Sequence, residues 1–168
     1  MSDTELSPEV ENAFEAPKAN LSETNTTKPI LEMERFSAWG VFFLSVVTFG
    51  IYFLYWLITR AQKINTLSTG EKANLTMLYA YAGLYVISTA ISFIANPEDT
   101  TMAIVSGGIS LINLVIYIIG IFSVRRAIRD VINAGGQENV HLGGVLTFFF
   151  SAIYFQYKIN EAIDNQSS

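Results

Sequence analysis

The chain has 168 residues, 51% of them hydrophobic and only 15% charged, against about 25% charged in an ordinary soluble domain. Its formal charge of −5 sits entirely in the first 35 residues, where eight acids face three bases; the other 133 residues hold seven of each. There is no Cys, which excludes disulfides, thiolate metal sites and a cysteine nucleophile, and the acidic balance gives no support for nucleic-acid binding.

Residues 1–35 are rich in Glu, Ser, Thr, Asn and Pro and poor in aromatics, a composition that predicts a disordered acidic tail. An acidic start with no apolar run does not fit a secretory signal. A partner-binding arm is one use for such a tail, but a solvated leader is the simpler expectation.

From Phe36 the composition changes. Residues 36–59, 73–97, 100–124 and 139–157 carry no Asp, Glu, Lys or Arg. Their apolar cores, at 38–59, 75–94, 102–124 and 142–157, approach or exceed the run of roughly 18 residues expected of a membrane span. Four such helices in one small soluble protein would leave too little polar surface to meet water. The fold class expected is an all-α integral membrane protein, with a membrane domain over 36–160 and a polar C-terminal tail over 161–168.

The second and third segments read as full transmembrane helices. They are joined by 95–101, a short acidic stretch whose Asn96-Pro97 pair ends the helix, because Pro lacks an N–H and restricts its predecessor. The stretches on the other side, 60–74 and 125–141, carry Arg60, Lys63, Lys72, Arg125, Arg126 and Arg129. The positive-inside rule places these in the cytoplasm and the 95–101 loop outside.

The first and fourth segments resemble each other. Ile51-Tyr52-Phe53-Leu54-Tyr55 matches Ile153-Tyr154-Phe155-Gln156-Tyr157 at an offset of 102, which suggests an internal repeat. Two arrangements follow. In one, both segments cross fully, giving four spans with both termini outside; Trp39 and Trp56 then mark two belts about 26 Å apart. In the other, each is a broken or re-entrant helix and both termini stay in the cytoplasm. The breaks would fall near Thr48-Phe49-Gly50 and near Ser151-Ala152. The second arrangement is preferred, because every Lys and Arg then lies inside and no acidic tail need cross the bilayer.

The run Thr48, Gly50, Ile51, Tyr52, Tyr55 and Trp56 resembles the signature of bacterial membrane proteins grouped as domain of unknown function 4234. The resemblance covers roughly 36–160 and implies a multi-pass protein of the bacterial cytoplasmic membrane. The second copy departs from the signature at Ser151-Ala152, and Lys158 replaces the Trp. Relatives with a zinc-ribbon-like N-terminal module imply a cytoplasmic N-terminus, though this chain has no Cys to build one. The resemblance implies no activity and no cofactor.

The apolar segments contain no ionisable side chain of the kind that marks ion pathways or proton relays, and no nucleophile–base or metal constellation is present, so an enzyme is not expected. Asn113 is the one amide near the middle of the third segment, suited to an interhelical hydrogen bond or to a solute. Ser106, Gly107 and Ser110 add small residues on the same segment, and Ser88 and Ser92 offer a matching face on the second. Tyr52, Tyr55, Tyr79, Tyr81, Tyr85, Tyr154 and Tyr157 are expected at membrane interfaces. Arg125, Arg126 and Arg129 are expected as topological anchors, and His141, alone, makes no site. Two functions are expected: a non-enzymatic membrane component that packs with itself or another membrane protein, or a small-solute or lipid transporter or channel using the repeats and Asn113.

Overall fold

The computed structural model describes residues 28–94, 100–135 and 139–167, and every regular element among them is helical. A short 3-10 turn, Pro29–Glu32, precedes α1 (Ala38–Val47), α2 (Ile51–Leu67), α3 (Leu75–Ile94), α4 (Thr100–Asn133) and α5 (Gly144–Ser167). Two of them, α3 and α4, are long and apolar enough to cross a membrane.

Two of the helices start at a side-chain cap. Ser37 accepts from the Gly40 N–H at the start of α1, and Asn74 accepts from the Met77 N–H at the start of α3; such caps satisfy N–H groups that have no partner within the helix. The α2–α3 connection is latched to both neighbours. Asn65 exchanges hydrogen bonds with the backbone of Ala73 at 2.7 and 2.9 Å. Asp130 of α4 accepts from Ser68 Oγ and the Gly70 N–H at 2.6 and 3.2 Å, which holds the connection against α4.

One end of the bundle gathers most of the polar contacts. There Glu32 pairs with Lys63 and Glu34 with Arg60, both at 3.6 Å, while Arg35 pairs with Asp164. Asn160 both donates to the Phe36 carbonyl and accepts its N–H, and Gln166 donates to the Ile132 carbonyl. The core fills the same end: Ile30 and Met33 of the N-terminal segment, Trp56, Leu57, Ala61 and Ile64 of α2, Ile121 to Ile132 of α4, and Phe155 and Ile159 of α5 form one cluster. Burial of this surface, at about 25 cal/mol per Å², is the main cohesive term for the part that meets water.

Several boundaries differ from the sequence expectation. Residues 28–35, read as part of a disordered tail, are packed, with Ile30 and Met33 almost fully buried. Their acidic surroundings hid two core side chains. Residues 1–27 lie outside the described residues. Residues 161–167 of the polar C-terminal tail are the last turns of α5, with Ala162 and Gln166 buried. The stretches 60–67 and 125–133 continue α2 and α4 as helix, with Ala61, Ile64, Ala127, Ile128, Val131 and Ile132 facing the core and Lys63 and Arg126 at the surface. The junction between α3 and α4, with Pro97, lies outside the described residues.

Ile128 sits at the centre of the polar-end core with 1% exposure. Ile128→Ala is expected to destabilise the folded protein by about 2–5 kcal/mol, read as a lower denaturation midpoint in mild detergent.

Candidate functional site: two chain breaks and the α3–α4 groove

The two similar segments fold alike. In the first, helix ends at Val47 and restarts at Ile51, with Phe49 at φ 50° and Gly50 at φ 85° between them. Left-handed backbone is easy for Gly and costs a residue such as Phe about 1–2 kcal/mol. In the second, α5 is interrupted at Phe150 (φ −123°, ψ 21°), one residue before the expected Ser151-Ala152 break. Ser45 Oγ donates to the Val41 carbonyl at 2.6 Å, and Thr147 Oγ1 to the Gly143 carbonyl at 2.8 Å. These are the same contact, four residues back, at the same offset of 102.

Both segments double back. Residues 32–36, just before α1, are tied to Arg60 and Lys63 of α2 and to Asn160 and Asp164 of α5, so α1 begins at the end of the bundle where α2 finishes. The second copy repeats this: the Gly143 N–H donates to Tyr154 Oη at 2.8 Å. Eleven residues of straight helix span about 16 Å, farther than a tyrosine side chain reaches, so the two limbs of α5 lie against each other. Leu142, at the start of the first limb, accepts from Arg125, and Gln166, near the end of the second, reaches Ile132.

The turning points rest on tyrosines halfway along α3 and α4. Tyr85 donates to the Phe49 carbonyl. Tyr117 donates to Ser151 Oγ at 3.1 Å and to the Phe148 carbonyl at 3.4 Å. Tyr81 stands between them, its ring 5.2 Å from that of Tyr117. Tyr85, expected at the interface, is therefore with Tyr117 a structural post for the turns, while Tyr81 packs beside both and Tyr154 holds the start of α5. Sequence reading missed Tyr117 altogether. Around the first turn the carbonyls of Leu44, Ser45, Val46, Thr48, Phe49 and Gly50 each accept a hydrogen bond, so most of the break is satisfied from within the protein.

Above the turns lies a groove of about 460 Å³ between α3 and α4, lined by Tyr81, Tyr85, Ser88, Ser92, Ser110 and Asn113 among others. The hydroxyls of Thr89, Ser92 and Ser110 each donate back to their own helix. Ser88 Oγ and Asn113 Oδ1 are buried without a hydrogen-bond partner among the described residues. Ser106 contributes its carbonyl to Ser110. Gly107 does not join this group: a Cβ there would meet nothing within 4 Å, so its small size serves no contact inside the molecule.

Residues of the first turn carry the sequence signature. Thr48 Oγ1 accepts from the Tyr52 N–H at 2.9 Å and donates to the Leu44 carbonyl at 2.7 Å, bridging the two helices. Gly50 leaves room for Tyr85, whose hydroxyl would lie 2.9 Å from a Cβ. Trp56 is buried, Tyr52 half-buried, and Ile51 and Tyr55 face outward. The family described as Domain of unknown function (DUF4234) matches residues 36–165. The chain belongs to that family. No curated protein and no solved structure matches it. The family's match begins where the N-terminal segment ends and covers both turns, α3 and α4.

The Arg anchors are also engaged within the protein. Arg125 donates to the Leu142 carbonyl and lies over the Phe122 ring at 5.6 Å, and Arg126 pairs with Glu71 at 3.5 Å. His141 is exposed.

Gly50→Ala is expected to cost about 1–2 kcal/mol from the left-handed backbone alone, and Tyr85→Phe, which leaves the Phe49 carbonyl without its donor, about 1–3 kcal/mol. Because the second change removes the hydroxyl that the new methyl would strike, the double variant should lose less than the sum. Denaturation of the four proteins in a double-mutant cycle measures this coupling.

Proposed function

We propose that the chain is a non-enzymatic component of the bacterial cytoplasmic membrane, with α3 and α4 as its two spans and the two turned segments as hairpins entering from the cytoplasmic side. The observation that carries this reading is that each hairpin begins and ends at the polar end of the bundle, beside Arg60, Lys63 and Arg125. The turning points themselves expose apolar surface: Phe49 is 84% exposed, with Val47, Ile51, Phe149 and Phe150 exposed around the two turns. Such surface suits lipid. The α1 helix of ten residues is about 15 Å long, half the hydrocarbon thickness. Non-helical backbone at that depth needs internal partners, which Tyr85 and Tyr117 supply.

In this reading the protein acts by packing. Ser88 and Asn113 hold polar atoms that lack a partner among the described residues, and a hydrogen bond across helices is a recognised means of joining spans. The occupant is a second copy or another membrane protein that brings a polar group to the groove. A second reading, a small-solute or lipid path, draws on the groove's position above two helix breaks, the arrangement found at transporter sites. Against it, most carbonyls of the first break already accept hydrogen bonds within the protein.

The chain has no native Cys, so single substitutions report cleanly. Thr100→Cys should label from one side of sealed membranes only, and Ser2→Cys and Ser167→Cys only from the other. Labelling of all three from one side would mean four full spans and would overturn the hairpins. Ser92→Cys in native membranes should crosslink to a second copy or to a membrane partner, and Asn113→Leu should weaken that crosslink while leaving solute flux in vesicles unchanged. Flux that depends on Asn113 would favour the second reading.

A further inference from the structure

The protein is far wider at one end than at the other. Every buried residue of α4 lies between Gly120 and Ile132, and the one buried residue of α3 is Leu78, in its first turn. Beyond Tyr85 and Tyr117 the outer halves of α3 and α4 expose Val86, Ile87, Phe93, Ile104, Leu111 and Val115. Cβ atoms built at Gly107 and Gly108 would meet nothing within 4 Å. Among the described residues, six helical rods (α1, α2, α3, α4 and the two limbs of α5) therefore occupy the half below the turns, and two occupy the half above.

Resting on the hairpin arrangement proposed above, we infer that this protein is a membrane wedge: it favours, and at high density generates, bilayer curved with the cytoplasmic leaflet on the convex side. A helix with its side chains is 10–12 Å across, so each rod takes up roughly 80–110 Å² of leaflet area. Four more rods in one leaflet than in the other displace on the order of 300–450 Å² of lipid on that side alone. A flat bilayer must then pack the two leaflets at different densities, whereas a bilayer convex towards the cytoplasm provides the extra area without that mismatch. The apolar turns stop halfway, so the opposite leaflet gains nothing from them. Pairing through the Ser88–Asn113 groove leaves the imbalance in place, because each copy brings its own two hairpins.

The test uses full-length protein reconstituted at low density into small sonicated and large extruded vesicles of one lipid composition. Two quantities are read: protein per lipid, and the side of the termini from labelling of Ser2→Cys with a membrane-impermeant reagent. Small vesicles should hold roughly two-fold or more protein per lipid, with the excess copies carrying their termini outside, on the convex face. Equal density in both sizes, an excess without orientation bias, or termini favouring the inside of small vesicles would each overturn the wedge. Thr100→Cys in the same vesicles separates this failure from failure of the topology. If Thr100 and Ser2 label on opposite faces while density is flat, only the wedge falls; if they label on the same face, the hairpins fall with it.

Discussion

The structure depends on how two carbonyl groups are satisfied where the chain reverses. A helix that ends in apolar surroundings leaves backbone groups without partners, each costing several kcal/mol in hydrocarbon. At the first reversal Tyr85 reaches the Phe49 carbonyl; at the second Tyr117 reaches the Phe148 carbonyl and Ser151. Both tyrosines come from the long helices, so the reversals are held at fixed heights along α3 and α4. The limbs then run back alongside those helices and build the core at the polar end.

That core has a different character from the part beyond the turns. At the polar end, apolar side chains are enclosed and ringed by ion pairs between 28–35, α2 and α5. These pairs are largely exposed and individually contribute little, about 0–1 kcal/mol. They do fix where the N-terminal segment lies, with Ile30 and Met33 carried into the core beneath them. Beyond the turns, α3 and α4 line a shared groove that contains Ser88 and Asn113, and their other faces expose apolar side chains.

Much of this was legible in the sequence because its signals were periodic or compositional. Long uncharged runs gave α3 and α4, and the asymmetric bases gave the end at which polar contacts gather. Gly50 announced the first reversal, since only Gly takes a φ of 85° freely. The second was harder. Phe150 has no conformational peculiarity, and its position came from the offset to the first copy, one residue out. Ile30 and Met33 were hidden among Glu and Pro, where windowed composition averages two core residues away. Tyr85 and Tyr117 were illegible as posts because their role depends on contacts 31 to 36 residues away in sequence. Spacing alone also grouped Gly107 with Ser106 and Ser110, although it faces open space.

The doubled-back segments bear on biosynthesis. In the proposed arrangement only the junction between α3 and α4 has to be delivered to the far side, and residues 95–101 carry two acids and no base. The hairpins can slip in from the side on which the ribosome works, each burying its own reversal as it goes. The order of assembly is then constrained: Tyr85 and Tyr117 lie downstream of the first reversal, so α1 and α2 wait, with the Phe49 carbonyl unmet, until α3 emerges. The second reversal, made last, finds its tyrosine already in position.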